Sequence, residues 1–245
     1  MLLNELSCDV LEAVVRNLSP SDVGSLVSTC KALQASATPR LVDWAWLREH
    51  VEEFGGRWSV CRKAAEEGRL QALRWARALG CPWNSRVCGS AARGGYLQVL
   101  QLARAKTPPC PWNEDTCSAA VHGGHLHLLQ WAREQSPPCP WGSLTCSEAA
   151  SHGYLAVLQF ARGQAPPCPW CKRTCGNAVR GVHRDVLQWA RAHGCPWDKE
   201  ECLKALRGEV DDVNYSNEGE HLRELRDAGD PDYVALLSWV EAEAA

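Results

Sequence analysis

The tripeptide Cys-Pro-Trp occurs five times, beginning at Cys81, Cys110, Cys139, Cys168 and Cys195, at intervals of 29, 29, 29 and 27 residues. No other feature constrains the fold as tightly, because self-similarity at a period of this size marks an array of one supersecondary unit. Seven residues after each tripeptide begins stands a second cysteine: Cys88, Cys117, Cys146, Cys175 and Cys202. Cys61 opens one more unit, 27 residues before Cys88.

Counted from this second cysteine, offset +3 is always Ala: Ala64, Ala91, Ala120, Ala149, Ala178 and Ala205. Offset +7 is Gly in the first four units, at Gly68, Gly95, Gly124 and Gly153. Offset +12 is Leu73, Leu100, Leu129, Leu158 and Leu187, and offset +14 is Trp75, Leu102, Trp131, Phe160 and Trp189, each followed by Ala and then Arg. Each unit reads as two short helices. The first begins near the cysteine, with Thr116, Thr145 and Thr174 expected as N-caps, and its small Ala positions permit close packing. Gly at +7 ends it. The second, such as His125 to Arg133, carries apolar residues at +9, +11, +12 and +15, one broad face. Gly or Pro-Pro then stops it and Cys-Pro-Trp turns the chain back. One such pair cannot bury its face alone, whereas stacked copies share a core.

These residues resemble the ankyrin repeat in a short variant. Gly80-Cys81-Pro82-Trp83-Asn84 sits where that family has Gly-Ala-Asp-Val-Asn, Cys88 falls on the Leu of Thr-Pro-Leu-His, Ala91-Ala92 on its Ala pair, and Gly124-His125-Leu126 on Gly-His-Leu. The resemblance covers 58–208 and implies an all-α, ankyrin-like helical-repeat solenoid with blunted fingers. It also implies a concave groove that contacts partners at offsets +5 and +6, which change from unit to unit: Glu66 and Glu67, then Arg93, His122, Ser151 with His152, and Arg180. A mixed-charge groove of this kind suits an unknown protein target.

Beyond Gly208 the last unit is interrupted. Tyr233-Val-Ala-Leu-Leu-Ser-Trp239-Val240 mirrors Tyr154 to Ala161 and reads as a closing second helix at 233–245, split from its partner by an acidic insertion at 209–232 expected to form an extended loop. The closing helix would act as a polar cap.

Residues 3–33 lie outside the repeat. Leu6, Val10-Leu11, Val14-Val15 and Leu18 have helical spacing, and Ser19-Pro20-Ser21-Asp22 restarts a helix carrying Val23, Leu26, Val27 and Cys30. This stretch resembles an F-box, with Ser7 where the family usually has Pro and Leu33 where Trp is common. The resemblance covers a module at 1–38, followed by a linker helix at 39–57, and implies docking on the Skp-family adaptor of cullin–RING ubiquitin ligases through Leu6, Val10, Leu11, Val14, Leu18, Val23 and Leu26. The plainer reading is a helical cap on the first repeat. Trp44 and Trp46 are expected to seal the junction.

Composition narrows the chemistry. With 45% hydrophobic and 22% charged residues, the chain has the material for a core. Its net charge of −3 argues against a generally basic, nucleic-acid-coating protein, and no nucleic-acid partner is expected. The start, Met1 to Glu5, lacks a basic leader, and no apolar run approaches the ~18 residues of a membrane span. The expectation is therefore a cytoplasmic or nuclear monomer, with no membrane partner, in a reducing compartment where the 14 cysteines are not a disulfide framework. Cys168, Cys171 and Cys175 with His183 allow a zinc site to be drawn, but Cys168 and Cys175 recur in every complete unit, so packing is the simpler account and no metal or cofactor is expected. His122, His125 and His127 form a second imaginable cluster, weaker still. Arg77, Arg104, Arg133, Arg162 and Arg191 read as partners of helix dipoles, or less readily as an anion stripe, and the Trp at +14 with its small neighbour reads as core. The turn Trp residues are expected to pack on the adjacent repeat, an exposed aromatic ladder being the alternative. No catalytic constellation stands out, and a copied residue is a poor candidate for a unique catalytic role, so no enzyme activity is expected.

The resulting expectation is a protein-binding module: a substrate receptor of an SCF-type ubiquitin ligase. The alternatives are an ankyrin-like scaffold or inhibitor without a ligase link, and a zinc-binding or redox Cys-rich protein.

Overall fold

The computed structural model describes residues 57–78, 80–208 and 216–243. Among them are thirteen helices and no strand. The proposed adaptor-contacting residues Leu6, Val10, Leu11, Val14, Leu18, Val23 and Leu26, like Trp44 and Trp46, lie outside the described residues. The chain divides into two compact units, Met1–Trp112 and Asn113–Ala245.

In the first unit, helices α1 (Arg57–Glu66), α2 (Leu70–Ala78), α3 (Ser85–Arg93) and α4 (Leu97–Ala105) form two pairs. First helix packs on first helix, α1 on α3, and second on second, α2 on α4. The second unit continues the alternation with α5 (Glu114–His122), α6 (Leu126–Glu134), α7 (Ser143–Ser151), α8 (Leu155–Gly163), α9 (Lys172–Arg180), α10 (Arg184–Ala192) and α11 (Lys199–Arg207). Here α5, α7, α9 and α11 pack in succession, while α6, α8 and α10 each follow their own first helix. The protein is thus an all-α helical repeat.

The sequence explains the pattern. The +3 alanines of the first five units are fully buried, so the first helices approach closely. Leu73, Leu100, Leu129, Leu158 and Leu187 are fully buried from the second helices. Burying a leucine side chain contributes about 1.5–3 kcal/mol, and each repeat adds such a residue to the core of its own unit.

Each first helix ends in the same way. The +8 amide donates back to the +3 carbonyl, as from Tyr96 to Ala91 at 2.9 Å and His125 to Ala120 at 2.8 Å, which requires a left-handed residue at +7. Gly68, Gly95, Gly124 and Gly153 supply it with φ of +70° to +75°. The fifth copy has Val182 at that place, held at φ +57°, where a β-branched residue is strained.

The helix starts correct one expectation. Thr116, Thr145 and Thr174 are not N-caps but the third helical residues, each fully buried. The caps are Asn84, Asn113, Gly142, Cys171 and Asp198. Thr116 and Thr174 accept from the cap residue's own amide through Oγ1, the reverse half of a capping box. Cys171, the cysteine outside the repeat pattern, simply occupies this cap position.

The insertion also differs from expectation. Within the span read as an extended loop lies α12 (Ser216–Ala228), which packs on α9 and α11. Its Arg226 donates to the Arg207 carbonyl at 2.9 Å, using an acceptor that the end of α11 leaves open. The closing α13 (Pro231–Ala242) is capped by Asp230, whose carboxylate accepts from the Asp232 and Tyr233 amides. Its Trp239 stands 6.3 Å from Trp197, much as Phe160 stands 6.4 Å from Trp141, so α13 fills the place of a second helix.

Candidate functional site

Each repeat has two ends, and their chemistry differs. At the turn end, the arginine that closes each second helix bends over the following Cys-Pro-Trp. Its guanidinium lies on the Trp ring at 4.1 Å (Arg77 on Trp83), 4.0 Å (Arg104 on Trp112), 3.9 Å (Arg133 on Trp141), 4.0 Å (Arg162 on Trp170) and 4.5 Å (Arg191 on Trp197). The same group donates to the carbonyl of the turn cysteine, at 2.7 Å from Arg104 to Cys110, 2.6 Å from Arg133 to Cys139 and 2.7 Å from Arg162 to Cys168. Arg77 donates likewise to Cys81, and Arg191 to Cys195 at 3.1 Å. A charge-assisted hydrogen bond contributes about 1.5–3 kcal/mol and a cation–π contact about 0.5–2 kcal/mol. These specific bonds, more than a diffuse dipole term, account for the arginine column.

The two lengths of repeat reach this geometry by different chains. In the shorter units Gly80 and Gly194, at φ +74° and +80°, end the second helix. In the longer ones Thr107-Pro108, Ser136-Pro137 and Ala165-Pro166 are cis peptides. In both, the turn cysteine amide donates to the +15 alanine carbonyl, at 2.9 Å for Cys81 on Ala76 and 2.9 Å for Cys110 on Ala103.

The cysteines are structural. Both cysteines of every complete repeat are buried, and none of them forms a disulfide. The turn thiol donates to the cap carbonyl one repeat earlier, Cys110 to Asn84 at 3.3 Å, Cys139 to Asn113 at 3.5 Å and Cys168 to Gly142 at 3.4 Å. The helix thiol points at the next turn carbonyl, Cys61 to Cys81 at 3.7 Å and Cys117 to Cys139 at 3.8 Å. Burial pushes the Cys61 thiol up to about 12, with the nearby Cys81 adding to it, and burial with the adjacent Glu201 pushes Cys202 up to about 11. Hydrogen bonding to the thiols of Cys88, Cys168 and Cys195, together with burial, raises Cys110, Cys146 and Cys175 respectively. Such thiols are protonated and inert at neutral pH. Cys168, Cys171, Cys175 and His183 do not converge: Cys168 is spent on Gly142, and His183 lies 3.0 Å from the Ser151 carbonyl through Nε2.

At the other end, where the first helices stop, the variable residues stand. In the first unit Glu66 is exposed beside Arg62 and Lys63 at 3.7 and 3.9 Å, and Arg93 is exposed at the last position of α3. Glu67 is half-buried; its carboxyl is held low because Arg69 at 2.7 Å and Lys63 at 3.4 Å outweigh the cost of burial. In the second unit the row is His122, exposed, then Ser151, His152 and Arg180, half-buried. His122 Nδ1 is 3.2 Å from Glu148, and Arg180 bonds Asn177 at 3.3 Å and reaches Glu201 at 3.9 Å. His152 stacks on Tyr154 with centroids 5.5 Å apart. Glu148 was not among the expected residues. Its signal was present nonetheless: it lies 26 residues after His122, close to one repeat, and four before His152.

Comparison with known proteins adds little beyond architecture. No protein-family model matches this chain, and neither does any curated protein. The chain is similar to two solved structures of the pentatricopeptide repeat protein PPR10 in complex with an 18-nt psaJ RNA element, one of them a triple cysteine-to-serine variant. In both the identity is 15% and the TM-score 0.33, with 97% of this chain and 43% of the solved chain covered. This chain therefore spans less than half the length of those it matches. The likeness concerns helical-repeat architecture and assigns no ligand. The expectation of no nucleic-acid partner is corrected on one point: both of these similar structures are RNA complexes. No helix among the described residues is long and apolar enough to cross a membrane.

Proposed function

We propose that this chain is a binding scaffold that holds a protein target through the ends of its first helices and presents it to a ubiquitin ligase through residues 3–33. One observation carries the first part. The invariant Cys, Trp, Arg and Gly positions are consumed by the repeat's own bonds, whereas the helix ends carry residues whose charge and size change from unit to unit. A surface that varies on an invariant frame is how a repeat protein encodes a partner. The ligase link rests on the F-box resemblance of residues 3–33. Buried thiols that form no disulfide suit a reducing compartment, cytoplasm or nucleus.

The test is co-precipitation of the full chain with a purified Skp-family adaptor. Binding that disappears in Leu11→Glu supports the ligase link, and an intact chain that ignores the adaptor overturns it, leaving the scaffold reading. A parallel mobility-shift titration with single-stranded RNA addresses the target class. Sequence-selective RNA binding lost on Arg93→Ala or Arg180→Ala would replace the protein target by a nucleic acid.

A further inference from the structure

We propose that His122, Glu148 and His152 form a binding site for one divalent transition-metal ion of the zinc class. One ligand atom from each of the three lies within 4.8 Å of the others. His122 Nδ1 is 3.2 Å from Glu148 Oε2, His152 Nδ1 is 4.0 Å from the same oxygen, and the two imidazole rings meet edge to face with centroids 5.0 Å apart. Tetrahedral bonds of about 2.0–2.1 Å place donors roughly 3.3 Å from one another. His122 Nδ1 and Glu148 Oε2 already stand near that spacing, and side-chain rotation is needed to bring His152 Nε2 to them.

Two packed helices carry the site. Glu148 and His152 are four residues apart at the end of α7, so their side chains share one face. His122 is the last residue of α5, which packs directly on α7. The Glu148 carbonyl lies 3.1 Å from His152 Nδ1 and accepts a hydrogen bond from it, which fixes the tautomer and leaves Nε2 its lone pair. Metal-bound histidines are held by such second hydrogen bonds. Tyr154, stacked on the His152 ring at an interplanar angle of 25°, limits its rotation further. With side chains 42%, 28% and 32% exposed, the three groups are open to an ion from solvent.

The donor set selects the ion. Two imidazoles and one carboxylate suit zinc, cobalt or nickel over magnesium and calcium, which prefer oxygen. Three protein ligands leave a fourth position for water or for a side chain of a bound partner. The site would clasp two consecutive repeats at their variable end, and its occupancy does not depend on the identity of the partner.

The probe is Zn2+ itself, titrated calorimetrically into the full chain with its thiols kept reduced by a phosphine. One equivalent is expected to bind, with affinity falling at least tenfold in each of His122→Ala, Glu148→Gln and His152→Ala and unchanged in His127→Ala. In the unmodified chain, imidazole NMR resonances of His122 and His152 should shift on saturation while that of His127 stays. Absence of saturable binding overturns the proposal. So does binding undiminished in the His122→Ala/His152→Ala double variant, or saturation that leaves both ring resonances unmoved, because the ion is then held by cysteine thiolates.

Discussion

The two ends of each repeat were built from the same kinds of residue and put them to opposite uses. At the turn end, Arg133 has its charge covered by the Trp141 ring and a donor bound to the Cys139 carbonyl. At the other end, Arg93 stands exposed on the last turn of α3. Within that second end the histidines also differ. His183 is committed to the Ser151 carbonyl, while His122 faces solvent beside Glu148. The residues that recur at the turn end are spent on the frame, whereas those that change at the helix ends carry the proposed partner surface.

Experiment can press on this difference, beginning with the largest effect. An unfolded cysteine ionises near 9.0, whereas Cys61 and Cys202 do so near 12 and 11 in the fold. The fold therefore retains this contribution in full below pH 9 and loses it as pH climbs toward 12, because only the unfolded chain then gives up the protons. Alkaline unfolding followed by circular dichroism should start above pH 9. Native alkylation read by mass spectrometry should, among the described cysteines, label the half-exposed Cys171 ahead of the others.

Next, Arg133→Ala should cost about 2–4 kcal/mol in urea unfolding, since both the ring contact and the charged hydrogen bond vanish. Arg133→Lys should recover only part, as a point charge cannot stack and donate along a planar fork together. Gly124→Ala should cost about 1–2 kcal/mol, because φ is +75° and the new methyl would meet the Tyr154 hydroxyl at 3.1 Å. Val182→Gly should move the other way, raising stability by about 0.5–1 kcal/mol in the same assay by relieving a left-handed valine. Smallest of all, Arg93→Ala should shift stability by no more than about 0.5 kcal/mol while weakening any partner. A large stability loss at Arg93, or none at Arg133, would erase the distinction between frame and variable end.

Much of the frame was legible because it is periodic. The buried +3 alanines and +12 leucines follow from counting, since a helix pair repeated at constant spacing puts the same face in the core each time. What escaped was set by short-range geometry that residue type underdetermines. Threonine is a common N-cap, yet Thr116 and Thr174 use their hydroxyls one turn later, because the turn Cys-Pro-Trp places Asn113 and Cys171 at the cap. The arginines were read as dipole partners because nothing in their spacing says that the turn folds back under the guanidinium. Helix α12 was hidden by its charge and by the absence of a repeat copy to compare with.

The amino-acid sequence by itself determined that this protein is built of repeated helix pairs. Only periodic burial can satisfy five copies of one motif, and the alternation of helix and turn follows from where its Gly, Pro and Ala recur. The tertiary structure alone decided which side chains meet across repeats: guanidinium on indole, thiol on the previous cap carbonyl, and His122 beside Glu148 and His152. Residues a full repeat apart become neighbours only when the first helices pack side by side, and that distance is a property of packing that no local pattern encodes.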